Sequence, residues 1–110
     1  MITTIALLKA REGLGRDEFI DYYENHHVPL ILSKAPAPDY YVRNYLPPVD
    51  ERRFSAGFDV MTHMKFPDET AYRSWLALVL AEGSGVAEDE ARFLDRSQTR
   101  SWIVEEHGIG

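Results

Sequence analysis

Two strand-like stretches, ITTIALLK at 2–9 and FDVMTHMKF at 58–66, carry apolar residues on both of their alternating faces. No other pattern in the sequence narrows the possible folds as much. In the second stretch one alternating set is Phe58, Val60, Thr62, Met64 and Phe66, while the other includes Met61 and His63. In the first, Ile5 and Leu7 oppose Ala6 and Leu8. A strand with two apolar faces needs two covers, because successive side chains point to opposite sides of a sheet.

The remaining segments say what those covers are. Between the strands, Phe19, Ile20, Tyr23, Leu30 and Ile31 recur at helical spacing from Asp17 to about Ile31, with Asp21, Glu24 and Asn25 on the opposite side. Asp17 and Glu18 fall in the first turn, where acids suit the helix dipole. APAPD ends this region, and YYVRNYL at 40–46 is β-prone. PPVDERRFSAG, 47–57, reads as a long surface loop. Asp68 is placed to cap the helix ETAYRSWLALVLAE, which GSG at 83–85 terminates. The short amphipathic segment VAEDEARFLD follows, and RSWIVEE at 100–106 is a fourth strand. The order β-α-β-β-α-(α)-β is the split βαβ pattern of an α+β ferredoxin-like fold with a four-stranded antiparallel sheet. Both helices cover one sheet face, so the second apolar face calls for a second copy of the chain. A homodimer is expected.

A chain of 110 residues suits one domain, here 1–110. It buries only about two-thirds of its unfolded surface, so a large cavity is easier to close with a partner's help. The formal net charge of −6 and the lack of a basic stripe disfavour nucleic acid and anionic membranes. With no cysteine, disulfides, thiolate catalysis and cysteine-ligated metals are excluded. The longest apolar run, 75–81, falls far short of the ~20 residues a membrane helix needs. MITTIALLKA lacks the features of a secretory signal, so a cytoplasmic setting is expected.

The chemistry-bearing feature is DYYENHHVPL at 21–30. Phe19, Tyr23 and His27 lie at successive i, i+4 steps, so His27 faces inward with the apolar stripe while His26 lies on the wetter flank. Pro29 lacks an N–H for the carbonyl of Asn25 and disfavours helical geometry at Val28, so the helix is expected to end or kink there. An imidazole beside loose helix-end carbonyls has two readings. It can be a structural group bonded to a carbonyl and favoured by the dipole, or a general acid/base, since imidazole titrates near neutrality. Other candidates are also two-sided. Asp95 can orient an imidazole or pair with Arg92 or Arg96; His63 can line a pocket or the dimer seam. Phe19, Tyr22, Tyr23, Trp75 and Phe93 can form an aromatic wall for a planar ligand or plain core. Four histidines, two of them adjacent and diverging, do not furnish the three or four convergent ligands of a metal site. No phosphate cradle or nucleophile elbow is present in the sequence.

The helix motif F-x-x-Y-Y-E-x-x-H-x-P-L, together with YYVRN, FDVMTHMKF, DEARFLDRS and the terminal VEE, resembles the EthD-type proteins over nearly the whole chain. Gly15 departs from the Ser or Thr cap common there, which touches only the capping of the helix. The resemblance implies a ferredoxin-like subunit that dimerises into an α/β barrel, hydrophobic small-molecule ligands that are often aromatic, and no mandatory cofactor. Its wider superfamily holds polyketide cyclases, dehydratases, lactone isomerases and cofactorless monooxygenases. In the related lactone isomerases a histidine of the first helix and a tyrosine of the second strand act on substrate; the matching positions are His27 and Tyr41. Tyr41, or its oppositely directed neighbour Tyr40, would then donate to a developing oxyanion. The expectation is a small enzyme moving a proton on a hydrophobic oxygenated molecule by cyclisation, dehydration or isomerisation. A cofactorless monooxygenase and a non-catalytic ligand-binding module are the alternatives.

Overall fold

A computed structural model of the protein describes residues 1–47 and 57–109; most of the expected 47–57 loop lies outside them. Strands β1 (Ile2–Leu8), β2 (Tyr40–Tyr45), β3 (Val60–Phe66) and β4 (Arg100–Val104) form one antiparallel sheet in the order β2-β3-β1-β4. The α+β ferredoxin-like architecture read from the sequence is the one observed. The register pairs Ala6 with Thr62 and Leu8 with Val60 on the helix side, and Ile5 with His63 and Leu7 with Met61 on the other. Both faces of the central strands are apolar, as their alternation requires.

The helices are α1 (Arg16–Tyr22), α2 (Val28–Lys34), α3 (Glu69–Val79) and α4 (Val86–Phe93). Gly15 occupies the N-cap of α1 with no side chain to offer it. Asp68 caps α3 by accepting from the Ala71 N–H at 2.8 Å. Gly85, before α4, has φ +82°, a conformation that favours glycine.

The expected break at Pro29 does not occur. α1 and α2 join through a π-helical turn, Tyr23–His27, and Val28 is helical with φ −58° and ψ −49°. The Val28 N–H reaches back five residues to the Tyr23 carbonyl instead of four. Widening the turn moves the carbonyl that Pro29 would strike out of i−4 register, and Pro29 then lies in the first turn of α2, where a missing N–H is tolerated. The helix therefore continues to Lys34, and His27 sits within it rather than at its end.

Two apolar cores lie between sheet and helices. One gathers Leu8, Phe19, Tyr23, Val28, Val60, Phe93 and Leu94; the other gathers Ile31, Ala35, Val79 and Val86, and Tyr41 packs against both. Phe93 is fully buried, with Phe19, Tyr22 and Tyr23 rings 5.2–5.8 Å away. Truncating such a ring typically costs about 3–5 kcal/mol. The C-terminus of α4 is fastened to the end of β1: the Arg11 N–H donates to the Phe93 carbonyl and the Asp95 N–H to the Lys9 carbonyl, each at 2.9 Å. That clamp fixes α4, whose Asp89 and Phe93 meet His27.

Candidate functional site

His27 leaves the π-helical turn toward the inside and is only 6% exposed. Its ring lies edge-on to Tyr23 at 5.6 Å and 4.8 Å from Phe93. Nδ1 is 2.8 Å from Asp89 Oδ2. A carboxylate can only accept, so the Nδ1–H of His27 donates to Asp89, and His27 lines a cavity. Asp89 is buried too, and its other oxygen accepts from the Tyr22 hydroxyl at 2.6 Å. Burial and the Asp89 carboxylate both push the Tyr22 phenol up from its ordinary value, which keeps it a donor. Arg92 lies 4.0 Å from the same carboxylate. His26 stays on the exposed flank and stacks on Tyr22 at 4.9 Å.

The strand register separates the two neighbouring tyrosines. Tyr41 pairs with Met64 on the helix side, whereas Tyr40 pairs with Lys65 on the open side. Tyr41 lines the cavity beside the Tyr23 hydroxyl, which in turn shares a 2.7 Å hydrogen bond with Thr62 Oγ1. Burial, with the neighbouring Tyr23 adding to it, holds the Tyr41 phenol well above the usual tyrosine range. It therefore serves as a hydrogen-bond donor and not as a phenolate base. The Arg43 guanidinium sits 4.8 Å from the Tyr41 ring centre, donates to the Tyr41 carbonyl at 2.7 Å and pairs with Glu24 at 2.6 Å. Glu24 also accepts from the Tyr45 hydroxyl. The π-helical turn is thus tied to β2 by the same residues that flank Tyr41.

The cavity has a volume of about 220 Å³ and lies at the seam of the two cores. Its apolar wall includes Ile31, Met64, Trp75, Leu76 and Val79, and its polar groups are His27, Tyr23, Tyr41, Thr62, Glu90, Thr99 and Ser101. A mostly apolar hollow with a few convergent polar groups is the usual form of a small-molecule site. The Trp75 indole N–H is buried with no acceptor among the described residues.

Of the residues singled out in the sequence, His27, Tyr41, Tyr23 and Trp75 meet at this cavity. Phe19 and Phe93 stand behind it as core, and Tyr22 acts from behind Asp89. His63 is on the opposite sheet face, 4.9 Å from the Tyr40 ring and with Nε2 3.4 Å from Glu106 Oε2, outside hydrogen-bonding geometry. Asp95 does not orient His27, nor does it pair with Arg92 or Arg96: its carboxylate accepts from the Ser97 N–H and hydroxyl and caps a short 3-10 turn, 96–98. The orienting carboxylate is Asp89. Its signal in the sequence was its spacing, since Val86, Asp89 and Phe93 form the buried stripe of α4 at i, i+3, i+7.

Among known proteins, the EthD domain family model matches residues 11–97. No curated protein matches the chain. A crystallised EthD family protein of Bacillus halodurans is similar in structure, with TM-score 0.67 and 19% identity over 97% of this chain and 100% of that one. An EthD-like protein of Ralstonia eutropha has TM-score 0.56 and 18% identity over 86% and 82% of the two chains. A dimeric ferredoxin-like protein of unknown function from Thermobifida fusca has TM-score 0.57 and 12% identity over 94% and 90%. At these identities the likeness is one of fold.

Proposed function

The chain belongs to the EthD domain family, and from that premise we propose that it is a homodimeric enzyme moving a proton on a hydrophobic, oxygenated small molecule held between sheet and helices. His27 Nε2 is the group that takes or returns the proton, and the Tyr41 hydroxyl donates to the oxygen on which charge develops. The observation that carries this reading is the 2.8 Å contact of His27 Nδ1 with buried Asp89 on the wall of a cavity that also holds Tyr41. The buried carboxylate holds the imidazole in one orientation at the wall of a hollow, which supports the catalytic role over packing alone. The same orienting device supports proton transfer in hydrolytic triads.

The dimer enters through the open sheet face. Ile5, Leu7, Val42, Met61 and Trp102 share that side by register, and Trp102 is 50% exposed. Apolar side chains gathered on an uncovered sheet face favour an interaction surface, and one structural relative is described as dimeric. A face-to-face pair of such sheets gives the α/β barrel.

The test is a thermal-shift screen of aromatic and lactone metabolites on the wild type and His27→Asn, followed by turnover of the compounds that bind. Retained binding with a rate lower by about two to four orders of magnitude fits a general acid/base. Binding without turnover by the wild type makes the protein a ligand-binding module. A His27→Asn variant that loses melting temperature, with no ligand shift in either protein, makes the histidine structural.

A further inference from the structure

We propose that Glu90 is a second proton-transfer group of the same cavity, delivering a proton to one atom of the substrate while His27 removes one from another. This rests on the reading of His27 as the base. Asp89 and Glu90 are consecutive on α4 yet have different surroundings: Asp89 holds the back of the imidazole, and Glu90 lines the cavity. The Glu90 side chain is 28% exposed, and among the described residues its nearest cation, Arg96 Nε, is 3.9 Å away, too far for a hydrogen bond. Burial raises its carboxyl above the ordinary value; neighbouring Asp89 adds to this, and His27 and Arg96 oppose it. A carboxyl so placed holds a proton more readily than one in water, which suits an acid.

Separate acid and base groups permit a step that neither achieves alone. With a β-hydroxy ketone, His27 Nε2 takes the proton from the carbon between the two functions, and the carbonyl oxygen gains charge beside the Tyr41 hydroxyl. As the carbonyl re-forms, a C=C bond forms, the C–O bond to the hydroxyl breaks and Glu90 gives its proton to the departing oxygen. Water leaves, no electron is gained or lost, and a proton passing through solvent from His27 to Glu90 restores both groups. The cavity has room for a ring-sized substrate. A dry engineered cavity of about 150 Å³ holds benzene, so about 220 Å³ admits a single substituted ring.

The experiment uses 3-hydroxycyclohexanone in heavy water. Deuterium entry beside the carbonyl, followed by NMR, reports the base step; cyclohexenone absorbance reports elimination; both are corrected for buffer alone. The wild type is expected to do both and His27→Asn neither. In Glu90→Gln deuterium entry persists while elimination falls by about two to four orders of magnitude, and in Glu90→Ala added formate restores elimination, which a structural role would not allow. Elimination by Glu90→Gln within threefold of the wild type, or equal loss of exchange and elimination, overturns the role of Glu90. So does a wild type that exchanges without eliminating. A wild type that does not exchange at all overturns the base role of His27 beneath it.

Discussion

Asp89 is the residue on which the site's geometry turns. Replacing it by Asn preserves shape but lets the amide donate to Nδ1, which favours the tautomer with its proton on Nε2. Asp89→Asn is therefore expected to lower turnover of a bound substrate by about two to four orders of magnitude with little change in affinity; a wild-type rate would show that the bond is incidental. The acid was passed over in the sequence because VAEDEARF holds three acids, and a charged residue in a short amphipathic helix is normally solvated. Only its stripe position set it apart. Tyr41 is legible from the family motif; alternation alone sets it opposite Tyr40, and the register shows that Tyr41 is the one facing the helices. Glu24 carries a pH prediction. Arg43 holds its carboxyl below the ordinary value, against burial. Its stabilisation is therefore present above the unfolded-state value and is lost as pH falls through the folded one. With its side chain 32% exposed, Glu24→Gln is expected to cost about 1–2 kcal/mol at pH 7. In melting curves the gap from wild type should narrow as pH falls below the ordinary glutamate value and through the lowered folded one; a gap that does not change with pH would contradict the ion pair's role.

At the scale of elements, the π-helical turn holds Glu24 and His27 against their partners while accommodating Pro29. Asn25, exposed and with its side chain bonded only to Asp21 at 2.7 Å among the described residues, is its expendable member. Deleting Asn25 should restore a regular helix in which the Pro29 ring meets an i−4 carbonyl, at about 3 kcal/mol or more. Adding Pro29→Ala to the deletion should recover part of that loss in denaturant titration. A deletion that costs nothing, or that Pro29→Ala fails to relieve, removes proline accommodation as the reason for the turn. The four strands, α3 with its Asp68 cap and the short α4 were legible because each has a local cause: alternation, a capping carboxylate, a glycine before or after. The helix through Pro29 was not, because proline's rule was applied to an α-helical ladder and a five-residue turn escapes it.

For the whole molecule, the two-faced strands that limited the fold at the outset also yield its assembly. Trp102 is half exposed on the open face, so Trp102→Glu should leave the single chain folded and place a charge where a second sheet would cover it. Sedimentation is expected to find a dimer for the wild type and a monomer for the variant, with circular dichroism unchanged; a monomeric wild type would end the barrel. Among the described residues, no helix is long and apolar enough to cross a membrane. The imidazole at position 27 is expected to meet a guest molecule between sheet and helices. A crystal structure with a compound from the thermal-shift screen should place an oxygen or acidic carbon of that compound about 2.6–3.5 Å from His27 Nε2, with a second oxygen on the Tyr41 hydroxyl. A compound seated instead in the groove of Lys9, Phe19 and Phe58, with the His27 cavity unentered, would contradict it.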